Sequence, residues 1–438
     1  MVKDKITKNK RGSIAIAGFN SLYLPDIADS CNFEVKSVSK NFETKTIDEI
    51  LELSPDFLVC NLTFQNFKPY MENLARLKEL LPTVKIIVYG EPFLTYNTNV
   101  TYENPFIDYA IIGEPELTLK DILNGVPNSE ILGICYTDDN MQSVKTEQRP
   151  FIENLDELPF PIRMTDDKNR TAIIEVSRGC SNNCFHCLKP VINGNFVRTR
   201  SPISIVNEIK EHIKINKIKH FIFKADYFNF NNDWVKELCN LIIQEKLKIT
   251  WSCELIPKNL DNELVQLMQK SGLRMCYLSA ESGSQTILNN IGKGTKLDEI
   301  KEITKLLKKH HIKIWNTFII GLPWETEETI NETTKFAVEL AGDRACFNIA
   351  APYPRTKFFL YSMLNKLTTP DIDFSNANVA PIVRTHKLSK DAIYNLWKSL
   401  FLRYYFNPKI ILKNLFAPKS IKEIKFFIKL LKRKFKGK

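Results

Sequence analysis

Hydrophobic and polar positions along this chain change period in a regular way. In the first third, Ser13–Ala17 is a short apolar run and Phe33–Ser39 alternates with period two. Asp56–Asn61, Val84–Tyr89 and Asp108–Ile112 are near-continuous apolar segments. Between and after them, Thr46–Leu53, Tyr70–Leu81 and Leu117–Leu123 place apolar residues every three or four positions. Period two or a short apolar run argues a strand, and spacing of three and four argues an amphipathic helix. The alternation predicts a doubly wound, Rossmann-like parallel sheet whose ligands lie at the C-terminal ends of its strands.

A second alternating block begins near Thr171. Strands are expected at Thr171–Val176, His220–Lys224, Lys248–Cys253, Arg274–Ala280, Lys313–Ile320 and Arg344–Ala350. Helical spacing fills the intervals at Ile203–Ile215, Trp234–Lys246, Asn262–Ser271, Leu297–His310 and Glu327–Leu340. Six such units predict a partial (βα)6 barrel related to the TIM barrel, with its chemistry at the strand C-terminal ends. Asn154–Arg163, with two prolines and no period, reads as a linker. The expected division is a first domain over 1–150, a linker over 151–170, a barrel over 171–370 and a helical, basic region over 371–438. Residues 1–12 are polar and are expected to be disordered.

Composition adds little to this picture and charge adds more. The 438 residues are 44% hydrophobic and 25% charged, ordinary for a globular chain of two or three domains. No apolar run reaches ~18 residues, and the basic start has no apolar stretch after it, so neither a spanning helix nor a secretory signal is expected. Ten cysteines without an export signal imply a reducing, cytoplasmic setting. Cys31, Cys60, Cys135, Cys239, Cys253, Cys276 and Cys346 mostly sit in apolar runs and are expected in the core. The net charge of +11 is concentrated: His386–Lys438 holds thirteen Lys and two Arg against Asp391 and Glu423, a balance of +13 that leaves the rest near −2. There Ser420–Phe435 aligns Ile421, Ile424, Phe427, Ile428, Leu431 and Phe435 on one helical stripe flanked by lysines. A basic amphipathic helix of this kind predicts peripheral contact with a membrane surface; packing on the barrel and RNA binding are the other readings.

The densest chemistry follows the first barrel strand. Cys180, Cys184 and Cys187 stand in a C-x3-C-x2-C spacing on the loop leaving it. Thiolates so placed can share an iron–sulfur cluster. Three ligands leave the fourth iron of a cubane open to a small molecule. A zinc knuckle would need a fourth ligand, and His186 beside Cys187 is awkwardly placed for that role.

The cysteine spacing resembles the signature of the radical SAM enzymes, and further segments extend the likeness. Pro55–Cys60, Lys85–Pro92 and Asp108–Glu116 resemble the N-terminal cobalamin-binding domain of the B12-dependent branch of that family. Two departures stand out: no histidine precedes His186, so no first-domain histidine can ligate cobalt from below, and Gly90-Glu91 replaces the frequent Gly-Gly. The resemblance implies that Cys180, Cys184 and Cys187 hold a [4Fe–4S] cluster. It also implies that Phe185, Asp226, Glu281, Ser282, Gly321 and Glu325 bind S-adenosylmethionine (SAM). Trp324 and Arg355 stand where the family has glycine, and with Tyr353 they are expected to shape a substrate cavity. No catalytic acid, base or nucleophile is assigned.

The implied reaction is reductive cleavage of SAM to a 5′-deoxyadenosyl radical, followed by methyl transfer or rearrangement on a small or lipid-like substrate, with cobalamin as a second cofactor. The implied electron donor is a flavodoxin or ferredoxin; nucleic acid is not an expected partner. The alternative is a tRNA-modifying methylthiotransferase, which would need a second cluster on Cys31, Cys60 and Cys135.

Overall fold

The computed structural model describes residues 10–17, 22–37, 44–92, 99–162, 165–166, 171–369, 372–377 and 379–416. Residues 1–9 and the Ser420–Phe435 stripe lie outside the described residues. The first sheet contains β1 (Gly12–Ala17), β2 (Phe33–Ser37), β3 (Phe57–Leu62), β4 (Lys85–Gly90), β5 (Tyr109–Ile111), β6 (Ile134–Thr137) and β7 (Ser143–Lys145), in the order β2-β1-β3-β4-β5-β6-β7. β1 to β5 are parallel, whereas β6 and β7 add an antiparallel edge. Alternate side chains serve opposite faces. Val59, Ile87 and Tyr89 pack with Leu24, Ile27, Leu119 and Ile122 on one side. Leu58, Cys60, Ile86 and Val88 pack with Ile47, Ile50, Leu74 and Leu77 on the other. This is the two-sided burial that a near-continuous apolar strand requires.

The second sheet begins with a two-residue antiparallel edge, β8 (Thr165–Asp166), and the first barrel strand, β9 (Thr171–Glu175). A small antiparallel pair, β10 (Ser177–Arg178) and β11 (Arg198–Thr199), brackets the cysteine loop. β12 (His220–Lys224), β13 (Thr250–Leu255), β14 (Leu273–Glu281), β15 (Lys313–Ile320) and β16 (Arg344–Ile349) complete six parallel strands with β9. Phe221, Phe223, Trp251, Cys253, Leu255, Cys276 and Leu278 point outward into a core shared with the helices Pro202–Asn216, Asn232–Gln244, Asn262–Ser271 and Leu297–Lys309. By the strand alternation, Glu175, Lys224, Glu254, Ser279, Glu281 and Thr317 face the lumen.

The expected fold class is present: a doubly wound sheet, a six-strand partial barrel and C-terminal helices (Lys357–Leu364, Lys390–Tyr405, Pro408–Phe416). Periodicity missed β6 to β8, the β10–β11 pair and the helices Gln285–Ile291 and Lys357–Leu364. These elements run from two to eight residues, too short for a period to repeat.

Among the described residues, two groups of contacts stand out between the sheets. One is aromatic: Phe64, just after β3, stacks against Tyr353 and Phe374 at centroid distances of 5.3 and 5.0 Å. The other is ionic and buried. Arg178 donates to Glu116 (2.6 Å) and Glu175 (2.8 Å) and lies 3.1 Å from Glu114. Arg198 donates to Glu114 (2.8 Å), and Lys224 to Glu175 (2.9 Å). Three carboxylates and three cations therefore balance across the boundary. Glu175 shows the consequence: burial pushes its carboxyl up, but Arg178 and Lys224 outweigh that and hold it down at about 2.

Replacing Arg178 with Met leaves Glu114 and Glu116 short of a partner while both are largely buried. The expected cost is about 3–5 kcal/mol, read as a lower urea midpoint. Lys36→Met, at a surface pair with Glu34 on β2, should cost below about 1 kcal/mol. Equal midpoints for the two variants would contradict the structural weight given to the buried network.

Candidate active site

The cysteine loop is built on a backbone that excludes side chains. Gly179 has φ +83°, and a Cβ there would come within 2.0 Å of the Phe196 carbonyl oxygen and 2.9 Å of that of Asn193. Only glycine permits so close an approach with that dihedral. Cys180 N–H donates to the Gly194 carbonyl (3.2 Å) and Cys187 N–H to that of Cys184 (3.2 Å). Asp226, at the exit of β12, accepts from Gly179 N–H (2.9 Å) and the Asn193 amide (2.6 Å) and pairs with Lys189 (2.9 Å). Its carboxylate is thus spent on clamping the loop.

Cys180 is buried, and Cys184 and Cys187 are half-buried. Burial pushes the Cys184 thiol up to about 12 and Cys187 to about 11, and the neighbouring cysteines add to the rise. Thiols in this setting ionise only when a cation compensates them, and a coordinated metal does so. Among the described residues no three His, Cys, Asp or Glu side chains converge on a single-ion position. Three mutually coupled thiols on one loop instead suit the separate irons of a cluster, so the donor set fits a [4Fe–4S] group.

Beside the cysteines stands a buried ion pair. Glu281, the last residue of β14, follows a register shift in the β14–β15 pairing and has φ +61°. Its carboxylate accepts from Lys293, which is 7% exposed. Burial opposes the charge of Glu281, but Lys293 and then His186 more than compensate and keep it ionised. Lys293 is likewise held charged, against burial, by Glu281 and also by Cys184 and Glu254. Glu254, exposed in the lumen, accepts from the Ser279 hydroxyl (3.0 Å). Glu254 stands among the polar residues at the strand ends, whereas nothing periodic in the sequence marks Lys293. The one available signal was a lysine between Gly292 and Gly294, both at positive φ.

Other expected site residues turn inward. Ser282 is fully buried; its hydroxyl is 3.1 Å from that of Thr333 and accepts from Ser284 N–H. Gly283 lies so close to the helix Glu327–Leu340 that a Cβ would come within 2.6 Å of Thr333 Cα. Glu325, expected to face the cofactor, is fully buried and accepts from the backbone N–H groups of Gly321 and Leu322. It closes its own turn, because those N–H groups have no strand partner. Gly321 has φ +90°, which that turn requires. Phe185 donates its N–H to the Ile291 carbonyl and accepts at its own carbonyl from Phe358 N–H. Its ring packs on Trp324 (4.5 Å), Phe358 (5.5 Å) and Tyr361 (5.7 Å). Trp324 therefore braces the cysteine loop from behind. Tyr353 belongs to the joint between the sheets and accepts from Gln65. Arg355 is exposed with φ +65°, which explains why glycine suits that position.

Two cavities flank the loop. One, of about 260 Å³, is lined by His186, Ile319, Asn348, Ile349, Ala351 and Tyr353. The other is a cleft at the C-terminal ends of β3, β4 and β5, where Asn61, Thr63, Gly90, Glu91 and Gly113 face Arg178, Lys189 and Asn193. It lies at the carboxyl edge of the sheet, where doubly wound folds bind ligands. Gly113 lines this cleft, and a Cβ there would meet nothing within 4 Å, so its backbone is open to an occupant. Gly90 is the opposite case: a Cβ would strike the Leu62 carbonyl oxygen at 2.0 Å. Glu91 turns aside to Phe64 N–H (3.4 Å).

The Radical SAM superfamily profile matches residues 174–337. The chain is 28% identical over 401 residues to an uncharacterized methyltransferase of Pyrococcus horikoshii, covering 87% of this chain and 86% of that protein. Among solved structures, the radical S-adenosylmethionine methyltransferase TsrM from Kitasatospora setae, with tryptophan and a SAM analog bound, aligns at TM-score 0.69 and 14% identity over 90% of this chain and 89% of its own. The cobalamin-dependent radical enzyme OxsB aligns at TM-score 0.70 and 15% identity over 96% of this chain and 70% of its own.

Glu325 generates a pH test. Burial lifts its carboxyl from 4.5 to about 8, against the pull of the two N–H groups. The folded chain therefore holds a proton that the unfolded chain releases. That contribution is complete below about 4.5 and is lost as pH rises through about 8. Unfolding midpoints should fall across this window, and Glu325→Gln should flatten the fall. An unchanged slope would show that the carboxyl is ionised throughout.

Proposed function

We propose, from the premise that this chain carries a radical SAM domain over residues 174–337, that it is an enzyme that cleaves SAM reductively and methylates or rearranges a small molecule with the help of cobalamin. The observation that carries the reading is the placement of three thiols on one loop beside the buried Glu281–Lys293 pair at the C-terminal end of one parallel barrel. Bound here, a [4Fe–4S] cluster supplies the electron that splits SAM into methionine and a 5′-deoxyadenosyl radical, and cobalamin supplies a transferable methyl group or a second redox centre.

The chain's own residues position and exclude. Cys180, Cys184 and Cys187 hold the cluster, and Asp226 and Gly179 fix the loop that carries them. Glu281 and Lys293 are of opposite sign beside the cysteine loop and would hold the amino-acid end of SAM, the carboxylate accepting from its amino group and Lys293 donating to its carboxylate. Glu254 accepts from the ribose. Phe185, Trp324, Phe358 and Tyr361 seal the rear of the loop from water. The cleft between the sheets is the site for the corrin, entered past Gly113; this assignment is supported by the likeness to folds whose solved structures include one of TsrM with cobalamin and cluster bound. The cavity beside His186 and Asn348 is the substrate's. On this reading residues 1–150 and 171–370 are the corrin and barrel domains, joined by 151–170 and followed by the helical region 371–438. The methylthiotransferase alternative lacks a matching site: Cys31 packs on one face of the first sheet, while Cys60 and Cys135 pack on the other.

Anaerobic reconstitution with iron and sulfide should yield a [4Fe–4S] spectrum, and dithionite should then drive SAM cleavage. Cys184→Ala should lose both. Lys293→Met should keep the cluster but raise the KM for SAM roughly tenfold or more, the loss expected of a charge-assisted hydrogen bond. Cleavage persisting in Cys184→Ala would sink the cluster assignment. Failure of the anaerobic protein to retain added hydroxocobalamin would remove the corrin from the reading.

A further inference from the structure

We infer that the outer face of the helix Lys357–Leu364 and the segment beside it form the docking site for a small acidic protein that delivers single electrons to the cysteine loop. This rests on reading that loop as a cluster site. Leu364 is 74% exposed and Leu360 61%, one turn apart. Together they form a contiguous apolar spot, the feature from which contact surfaces are built. Cations surround them. Arg355, Lys357, Lys366, Arg384 and Lys387 are all exposed. The 384–387 segment runs alongside: Arg384 donates to the Lys366 carbonyl (3.3 Å), and His386 is 2.8 Å from the Tyr361 hydroxyl. Between Arg344 and Lys390 the acids are Asp371 and Asp373 alone. An apolar centre with a cationic rim complements an acidic partner, and that pairing steers brief encounters such as electron transfer requires.

The surface also lies in the right place. Phe358, on the inner side of the same helix, packs on Phe185 at a tilt (5.5 Å), and Phe185 sits between Cys184 and Cys187 in the chain. Lys357 reaches the Asn183 carbonyl of the loop (3.4 Å). The helix thus packs directly on the loop, with Phe358 against Phe185. The step is the passage of one electron from the reduced partner to the oxidised cluster, with no bond made or broken at the interface. A lipid surface is the competing occupant of a cationic apolar patch. It is disfavoured because two leucines offer little to insert, whereas any electron source must approach the loop closely.

The test uses the full-length reconstituted enzyme and the double variant Leu364→Asp/Lys366→Glu. Both positions are exposed and neither touches the loop. SAM cleavage is driven either by dithionite or by a flavodoxin with its reductase and NADPH. The expected result is a loss of about tenfold or more in the flavodoxin-driven rate at low salt, with the dithionite-driven rate unchanged and the wild-type flavodoxin rate falling as salt rises. Equal flavodoxin rates in the two proteins, or parallel losses with both reductants, overturn the inference. So does flotation of the wild type, but not the variant, with phosphatidylglycerol vesicles while flavodoxin rates match. No cleavage with dithionite in the wild type removes the cluster reading itself, and the inference falls with it.

Discussion

The buried charges between the two sheets set the conditions for everything around them. Glu114 and Glu116 leave the first sheet at the end of β5; Arg178 and Arg198 flank the cysteine loop on β10 and β11. Neither half is tolerable alone. An unpaired, largely buried carboxylate or guanidinium costs several kcal/mol, whereas the matched set is close to neutral. The network therefore adds little net stability. It forbids arrangements of the two sheets that separate the charges, and so fixes where the cleft at β3–β5 faces the cysteine loop. Arg178 lies two residues before Cys180, so the same contact that docks the domains also fixes the base of the loop.

The loop itself is held from several directions by groups that do no chemistry. Asp226 ties it to β12, Phe185 ties it through backbone hydrogen bonds to Ile291 and Phe358, and Trp324 closes its rear. Such support matters because a site of this kind works by position: reacting groups held within fractions of an ångström of their working geometry gain most of what an enzyme can give. The Glu281–Lys293 pair fits the same account. Both members are costly to bury, and each keeps the other charged.

Several polar residues at strand ends proved to serve the fold. Ser282, Glu325 and Asp226 all stand where a barrel gathers its functional side chains, and all three spend their hydrogen bonds on neighbouring backbone or loop groups. The reason is general. Strand ends break the ladder and release N–H groups that something must satisfy, so a polar residue there is as apt to complete a turn as to meet a ligand. Lys293 shows the converse. It sits in a connection between two helices, with no periodic context to mark it, and reaches the site because the chain folds back over the cysteine loop.

The sequence by itself determined the two sheets, their parallel sense and the place of the cysteines, because apolar periodicity over five to nine residues and a fixed thiol spacing are local properties that burial must honour. It also carried the charge asymmetry of the tail. Only the tertiary structure decided which polar side chains face the lumen, which carboxylates are consumed by turns, and that Glu114 and Glu116 belong with Arg178 and Arg198, some sixty to eighty positions later. Those outcomes depend on pairings between distant segments. The free energy of a buried charge is set by its partner, and a residue's partner is not written in its neighbours.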